Sequence, residues 1–423
     1  MLSSHSAVGT TTAIAILVVV IATTIGVRRI PPAVVAVPAA VLIVAVGLTS
    51  WHDAAHEIGF MAPTIGFLAA MLVVADVCAR TGVFDWVGSV LASWSRGSPN
   101  RLLRIVFVVA AITTAVLSID TTIVLLTPVA VTTARRIGAR VSPVGYASNH
   151  LSNSASTLFP VSNLTNLLAF GATGMSFLGF TGVMAAPWAA AIVMEYLIFR
   201  WFFAADLAIR ARPAATPADD ATERPPTPVL ILGCLAVLLI AFVVAEPLGV
   251  PLVLIATIGA VIMVAPLLFR APIPALRSTV RAVNIPFLAF VAALGVIILP
   301  VREGPVGDAV GRMIPSGTGL WALLGVALLA AVAANLLNNL PATLLLVPLV
   351  ADAPALILAV LLGVNIGPNL TFFGSLANLL WRDVMHRHAA STPSRRYILL
   401  GLLTVPPTLI AAGVALWAGL AIS

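Results

Sequence analysis

Ten stretches of this chain read as membrane spans, most of them strongly apolar: residues 13–27, 31–49, 59–80, 144–170, 176–203, 228–246, 250–269, 283–300, 355–381 and 397–421. Runs of this length, repeated along the chain, are too many for one anchor and too regular for a buried core. With 61% of its 423 residues hydrophobic and 9% charged, the chain has more apolar surface than a soluble domain of that size can hide. Lipid is therefore the solvent, and the fold class is an all-α polytopic membrane protein. The run at 13–27 has no basic stretch before it and no small-residue cleavage site after it, so it reads as a span and not a removed signal.

Two further segments, 102–135 and 318–350, each hold two apolar arms with a very short polar turn between them. The turns are Ser118-Ile119-Asp120-Thr121-Thr122 and Asn335-Leu-Leu-Asn338-Asn339-Leu-Pro341. A second arm of about 13 residues is too short to cross a hydrocarbon core of roughly 30 Å at 1.5 Å per residue. Both segments read as re-entrant hairpins with tips at mid-membrane; a plain twelve-span arrangement is the alternative.

All 22 basic residues are Arg, and their placement sets sidedness. Twenty of them, in groups such as Arg28-Arg29, Arg135-Arg136 and Arg395-Arg396, fall on one side, and only Arg302 and Arg312 fall on the other. The first side is the cytoplasm, the membrane is the cell membrane, and both termini face out. The stretch 205–227, rich in Pro, Ala and charge, reads as a disordered cytoplasmic linker between halves 1–204 and 228–423. No polar basic domain exists to bind nucleic acid, so the +7 formal charge implies no such partner. Cys78 and Cys234 form no spacing pattern, which points to no disulfide framework and no thiolate metal site.

The halves repeat one another. Arg80-Thr-Gly82 and Asp85-Trp-Val-Gly88 return as Arg302-Glu-Gly304 and Asp308-Ala-Val-Gly311. The first hairpin tip and its Pro128 return as Asn338-Asn339 and Pro348. Asn153, Asn163 and Asn166 return as Asn365, Ser375 and Asn378 at identical spacing. Each half then has five crossing spans and one hairpin, and an odd number of crossings inverts the second copy. Inverted repeats with broken helices at the midplane are the signature of secondary transporters.

Helix breaks follow from Pro160 before Ser162-Asn163 in 144–170, and from Gly367-Pro368 and Gly374 around Ser375 in 355–381. Side chains there can cap half-helix N-termini or meet a passing solute. The candidate binding residues are Ser162, Asn163, Thr165, Asn166, Thr121, Asn338, Asn339, Ser375 and Asn378, brought together in one polar pocket. The plainer alternative makes Asp120 and Asn339 helix caps and the remaining polar groups interhelical glue worth about 1 kcal/mol or less.

These residues resemble the arsenite efflux permease family within the larger ion-transporter superfamily. The motifs are Asn338-Asn339-Leu-Pro341, Leu362-Gly-Val-Asn365-Ile-Gly-Pro368-Asn-Leu-Thr371 and Gly374-Ser375-Leu-Ala-Asn378-Leu-Leu-Trp381, with Leu126-Thr127-Pro128 and Ser162-Asn163-Leu-Thr-Asn166 in the first half. The likeness runs from about residue 60 to 385. It departs at Ile119, where the family usually places Asn, and at Thr121-Thr122 in place of Gly and Ala. The resemblance implies a two-domain, elevator-like architecture that exports trivalent arsenic or antimony. It allows a separate ATPase subunit and a homodimer. Sodium/proton exchange or dicarboxylate transport on the same scaffold is the alternative, and Ala377 disfavours the carboxylate by replacing a hydroxyl.

Near neutral pH arsenite is the uncharged trihydroxide, which a pocket of Asn, Ser and Thr suits by direct hydrogen bonding. A neutral solute gains nothing from the membrane potential. One inward proton at about 150 mV supplies roughly 3.5 kcal/mol, or about a 300-fold gradient. Its carrier is expected to be an acid inside the membrane, where the charged form is penalised. Asp120 at the first hairpin tip is the choice, since Asp76 stands four residues before Arg80 as a local ion pair and Glu195 reads as snorkelling to the cytoplasmic face. His52 and His56, four apart, lack a third ligand and read as a solvated cap, and Trp86 and Trp94 mark an interfacial helix. No nucleophile–base pair, metal site, cofactor motif or nucleotide loop is legible, so the chain reads as a transporter and not an enzyme.

Overall fold

A computed structural model of the protein describes residues 6–26, 30–208, 225–245 and 247–422. Among the described residues every regular element is a helix. Eight helices are long and apolar enough to cross a membrane by length and composition, Ala7–Thr24, Trp51–Arg80, Phe177–Phe202 and Ser394–Ala421 among them. Three places differ from the sequence reading. The run at 31–49 is helical only over Ala33–Ala45. The second arm of the first hairpin is longer than expected, continuing over 119–136 through a π-helical stretch at Thr122–Leu126. The expected linker begins with a packed helix, Ala204–Ala208, whose Asp206 accepts from Arg396. The rest of it, 209–224, lies outside the described residues, as do Arg28 and Arg29.

The helices fall into two packed groups. In one, Ala7–Gly26, Ala33–Ala45 and Trp51–Arg80 lie against Leu252–Arg270, Pro272–Val283 and Ile285–Arg302. In the other, Phe177–Phe202 lies along Ser394–Ile422, and both hairpins pack on the interrupted helices. The repeated fragments occupy matching places. Arg80 and Arg302 each end a long helix, and each is followed by a short helix, Val83–Ser95 or Pro305–Met313.

Both expected breaks are present. Val141–Ser154 gives way to single turns at Ala155–Thr157 and Pro160–Ser162 before Leu164–Thr173 resumes. Pro354–Ile366 gives way to a turn at Gly367–Leu370 before Leu376–Arg387. The second break needs glycine for a packing reason. A Cβ on Gly367 would stand 2.6 Å from the Ala331 Cα on the neighbouring hairpin arm, so a side chain would push the arms apart.

Candidate functional site

Both hairpin tips turn through residues that pay a backbone cost. Ser118 has φ 153° and Asn338 φ 81°, each ten positions before the proline of its second arm. Such conformations cost about 1–3 kcal/mol each and persist where the surroundings enforce them. Asp120 is not a cap: the Ser118 Oγ accepts from the Thr121 amide at 3.3 Å, leaving the carboxyl of Asp120 uncommitted to helix N-terminus duty. Nor is Asn339, whose backbone amide donates to the Gly374 carbonyl at 3.0 Å, tying the second tip to the second break. Asn338 reinforces that tie by donating to the Phe373 carbonyl at 3.1 Å.

The two breaks share one local design. Asn163 (φ −151°, ψ 148°) and Ser375 (φ −148°, ψ 145°) cap their half-helices, accepting from the amides of Thr165 and Ala377. Three residues on, Asn166 donates to the carbonyls of Ser156 and Phe159 at 2.7 and 3.0 Å. Asn378 donates to those of Pro368 and Thr371 at the same 2.7 and 3.0 Å. These carbonyls flank the interruptions, where the α-helical pattern lapses; those of Phe159 and Thr371 also accept from the amides of Ser162 and Gly374, and each Asn amide adds a side-chain donor that bridges the break.

The halves also cross-bond. Asn365 donates to Asn166 Oδ1, and Asn153 donates to Asn378 Oδ1, both at 2.8 Å. Asn365 Oδ1 in turn accepts from Asn163 Nδ2 at 2.6 Å and Thr165 Oγ1 at 3.0 Å. The breaks are therefore one hydrogen-bonded unit.

Above this unit lies a cavity of about 80 Å³, lined from the tips by Ser118, Ile119, Asp120, Asn338 and Asn339 and from the breaks by Ser162, Asn163, Thr165 and Ser375. Leu68 and Phe287 close it from the other helix group, so it sits on the seam between the two. Among the described residues that line it, Asp120 is the only titratable side chain. Its polar surface is otherwise amide and hydroxyl, which suits a small uncharged solute rich in donors and acceptors.

Seven expected residues thus line one cavity: Asp120, Ser162, Asn163, Thr165, Asn338, Asn339 and Ser375. Asn166, Asn378 and Thr121 do not. The two Asn side chains are fully buried and spent on the breaks, and the Thr121 hydroxyl is 3.0 Å from Ser118 Oγ. The snorkelling expected of Glu195 is corrected outright, since Glu195 is 0% exposed and Ser154 donates to it at 2.9 Å. Asp76 does pair with Arg80, at 3.3 Å, and also accepts from Ser278. Sequence reasoning missed Leu68 and Phe287, which carry no motif. It also left Asn153 and Asn365 out of the site although both stand in the repeat.

Comparison with known proteins follows the same lines. A family model described as "Citrate transporter" (CitMHS) matches residues 15–356. The chain is 27% identical over 367 residues to an Escherichia coli protein named "Arsenical pump membrane protein", covering 82% of this chain and 84% of that one. It is 26% identical over 373 residues to the protein of that name from E. coli strain K12, covering 84% and 85%. A Mycobacterium leprae "46 kDa membrane protein" is 25% identical over 411 residues, covering 92% and 94%.

Proposed function

The chain belongs to the citrate transporter family, and from that premise we propose a secondary transporter that exports arsenite or antimonite as the neutral trihydroxide, coupled to inward proton movement. That it is a multi-pass membrane transporter follows from the family and the apolar helices. The observation that carries the finer reading is the cavity lining: amides and hydroxyls from both tips and both breaks, one carboxyl, and no Lys, Arg or His among its described residues. A di- or tricarboxylate would bring its negative charges against Asp120 with no cation to receive them. A neutral solute meets no such cost, and the names of the E. coli relatives agree with arsenic as the cargo.

In this reading Asp120 takes a proton from outside, the solute enters from the cytoplasm, and the two helix groups move against each other with the breaks carried as one body. The halves are, on the same reading, two inverted copies, each supplying one tip to the lining of the cavity. An organic anion remains the second reading, because two half-helix N-termini, at Leu164 and Leu376, open onto the cavity and favour negative charge. Expression in arsenite-sensitive cells separates the two. Lower arsenic accumulation with the wild-type chain than with Asp120→Asn supports export. Equal accumulation with well-expressed wild type, together with proton-coupled citrate uptake into vesicles, gives the carboxylate reading its place.

A further inference from the structure

Unused hydrogen-bonding capacity in the buried interior is concentrated in one place. Among the described residues, eight buried side-chain atoms have no hydrogen-bond partner, and six of them belong to Tyr146, Asn149, His150, Asn153 and Glu195. The first four stand on the first half of the first broken helix, Val141–Ser154, and Glu195 reaches them from Phe177–Phe202. None of this group lines the tip cavity.

At its centre is a pair of ionisable groups with no exposure to solvent. His150 Nδ1 lies 3.8 Å from Glu195 Oε1, and both side chains are 0% exposed. That distance is within reach of an ion pair but beyond a hydrogen bond, so neither ring nitrogen is committed to a partner. Glu195 Oε1 accepts from Ser154 Oγ at 2.9 Å and from Asn369 Nδ2 at 3.3 Å, while Oε2 has no partner. A carboxylate buried in this way beside a neutral imidazole is an uncompensated charge in a low-dielectric interior. A proton held by the pair removes that charge.

We propose that His150 and Glu195 form a proton-binding site, separate from Asp120, that reads out the state of the second break. The link is Asn369, which belongs to the turn Gly367–Leu370 inside that break. Its amide donates to Glu195 Oε1 at 3.3 Å, to the His150 carbonyl at 3.0 Å and to Ser154 Oγ at 3.3 Å, and its Oδ1 accepts at 2.8 Å from Asn153, which also donates to Asn378. An ionised Glu195 holds the Asn369 amide by a charge-assisted bond, and a protonated one holds it more weakly. One proton from water adds to the pair and the same proton later leaves to water, with no electrons exchanged. Loading it loosens the grip on the break, and losing it restores that grip.

The neighbours leave this charge to the pair. Tyr397 accepts from Asn149 at 2.9 Å, and Phe199 meets the His150 ring edge-on at 5.0 Å. Of the charged groups on the surrounding helices, Arg396 is bound to Asp206 and Arg104 to Tyr196. The site does not depend on what the tip cavity carries, so its test needs no cargo.

The test is infrared difference spectroscopy of the purified full chain in lipid, titrated between acid and alkaline pH. Wild type shows a protonated-carboxyl band from a buried site, which Glu195→Gln loses and Asp120→Asn keeps. His150→Gln moves the midpoint of that band, because both groups make the proposed site. An unchanged band in Glu195→Gln, or an unmoved midpoint in His150→Gln, overturns the proposal. Either result leaves the reading of the tip cavity untouched, since that reading stands on Asp120 and solute flux. Circular dichroism of each variant establishes that the helical fold is retained.

Discussion

Asn365 donates to Asn166 across 199 residues of chain, at 2.8 Å, and the matching bond from Asn153 to Asn378 spans 225 residues at the same length. The two bonds exchange the roles of the halves, so each break is locked by a residue from the other. This makes the pair of interruptions a single structural element and not two local defects.

Truncating a lock residue should therefore cost stability. Asn166→Ala leaves the carbonyls of Ser156 and Phe159 and the amide of Asn365 without their side-chain partner. At about 1–3 kcal/mol for each orphaned buried group, a loss of at least about 2 kcal/mol is expected. Asn378→Ala should behave alike, read as a lower thermal midpoint of the purified protein. A midpoint within a degree of wild type for both would contradict the interlock.

Asp120→Asn keeps the size and polarity of the side chain but cannot carry a proton. In proteoliposomes the expected result is at least about a 100-fold loss of proton-driven accumulation, with solute exchange at equilibrium preserved. Asp120→Glu should restore part of the drive. Full proton-driven accumulation in Asp120→Asn would remove that residue from the coupling.

A pocket of amides and hydroxyls needs no sulfur. Cys78 is buried away from the cavity and Cys234 lies on Val229–Ala245, neither among the lining residues. The double variant Cys78→Ala, Cys234→Ala should retain transport within about twofold, since both thiols act only as small apolar groups. Abolished transport with the fold intact would show a thiolate route instead.

The glycines separate packing from propensity. Gly367→Ala forces a Cβ to within 2.6 Å of the Ala331 backbone, and a loss of about 1–3 kcal/mol is expected from overpacking. Gly311→Ala meets nothing within 4 Å and lies inside Pro305–Met313, so it should be neutral or stabilising. Denaturation midpoints of the two variants, ranked the other way, would place the strain elsewhere.

Much of this was legible because breaking a helix in lipid demands particular residues. Pro160, Gly367-Pro368 and the repeated Asn and Ser had no reason to sit in an apolar run except to interrupt it, and the interruptions stand where the residues put them. The hairpin tips were legible for the same reason. The function of each Asn was not. Asn163 faces the cavity while Asn166, three residues on, faces the break, and only the path of the chain through the turn decides which is which. Glu195 was misplaced because its position near the cytoplasmic end of its span suggested the interface, whereas Ser154 and Asn369 draw it inward from elements that the sequence does not put beside it. Leu68 and Phe287 are apolar residues on apolar helices, and their place at the seam is set by packing alone.

Solute flux in proteoliposomes of the purified chain tests the shared chamber most directly, with Asn163→Ala and Ser375→Ala compared side by side. The account predicts that an imposed proton gradient drives arsenite against its own gradient, and that each variant, one from each half, lowers that flux about tenfold or more while the other half stays intact. Flux that is untouched by one or both substitutions, in protein that remains folded, would contradict a site built jointly by the two halves.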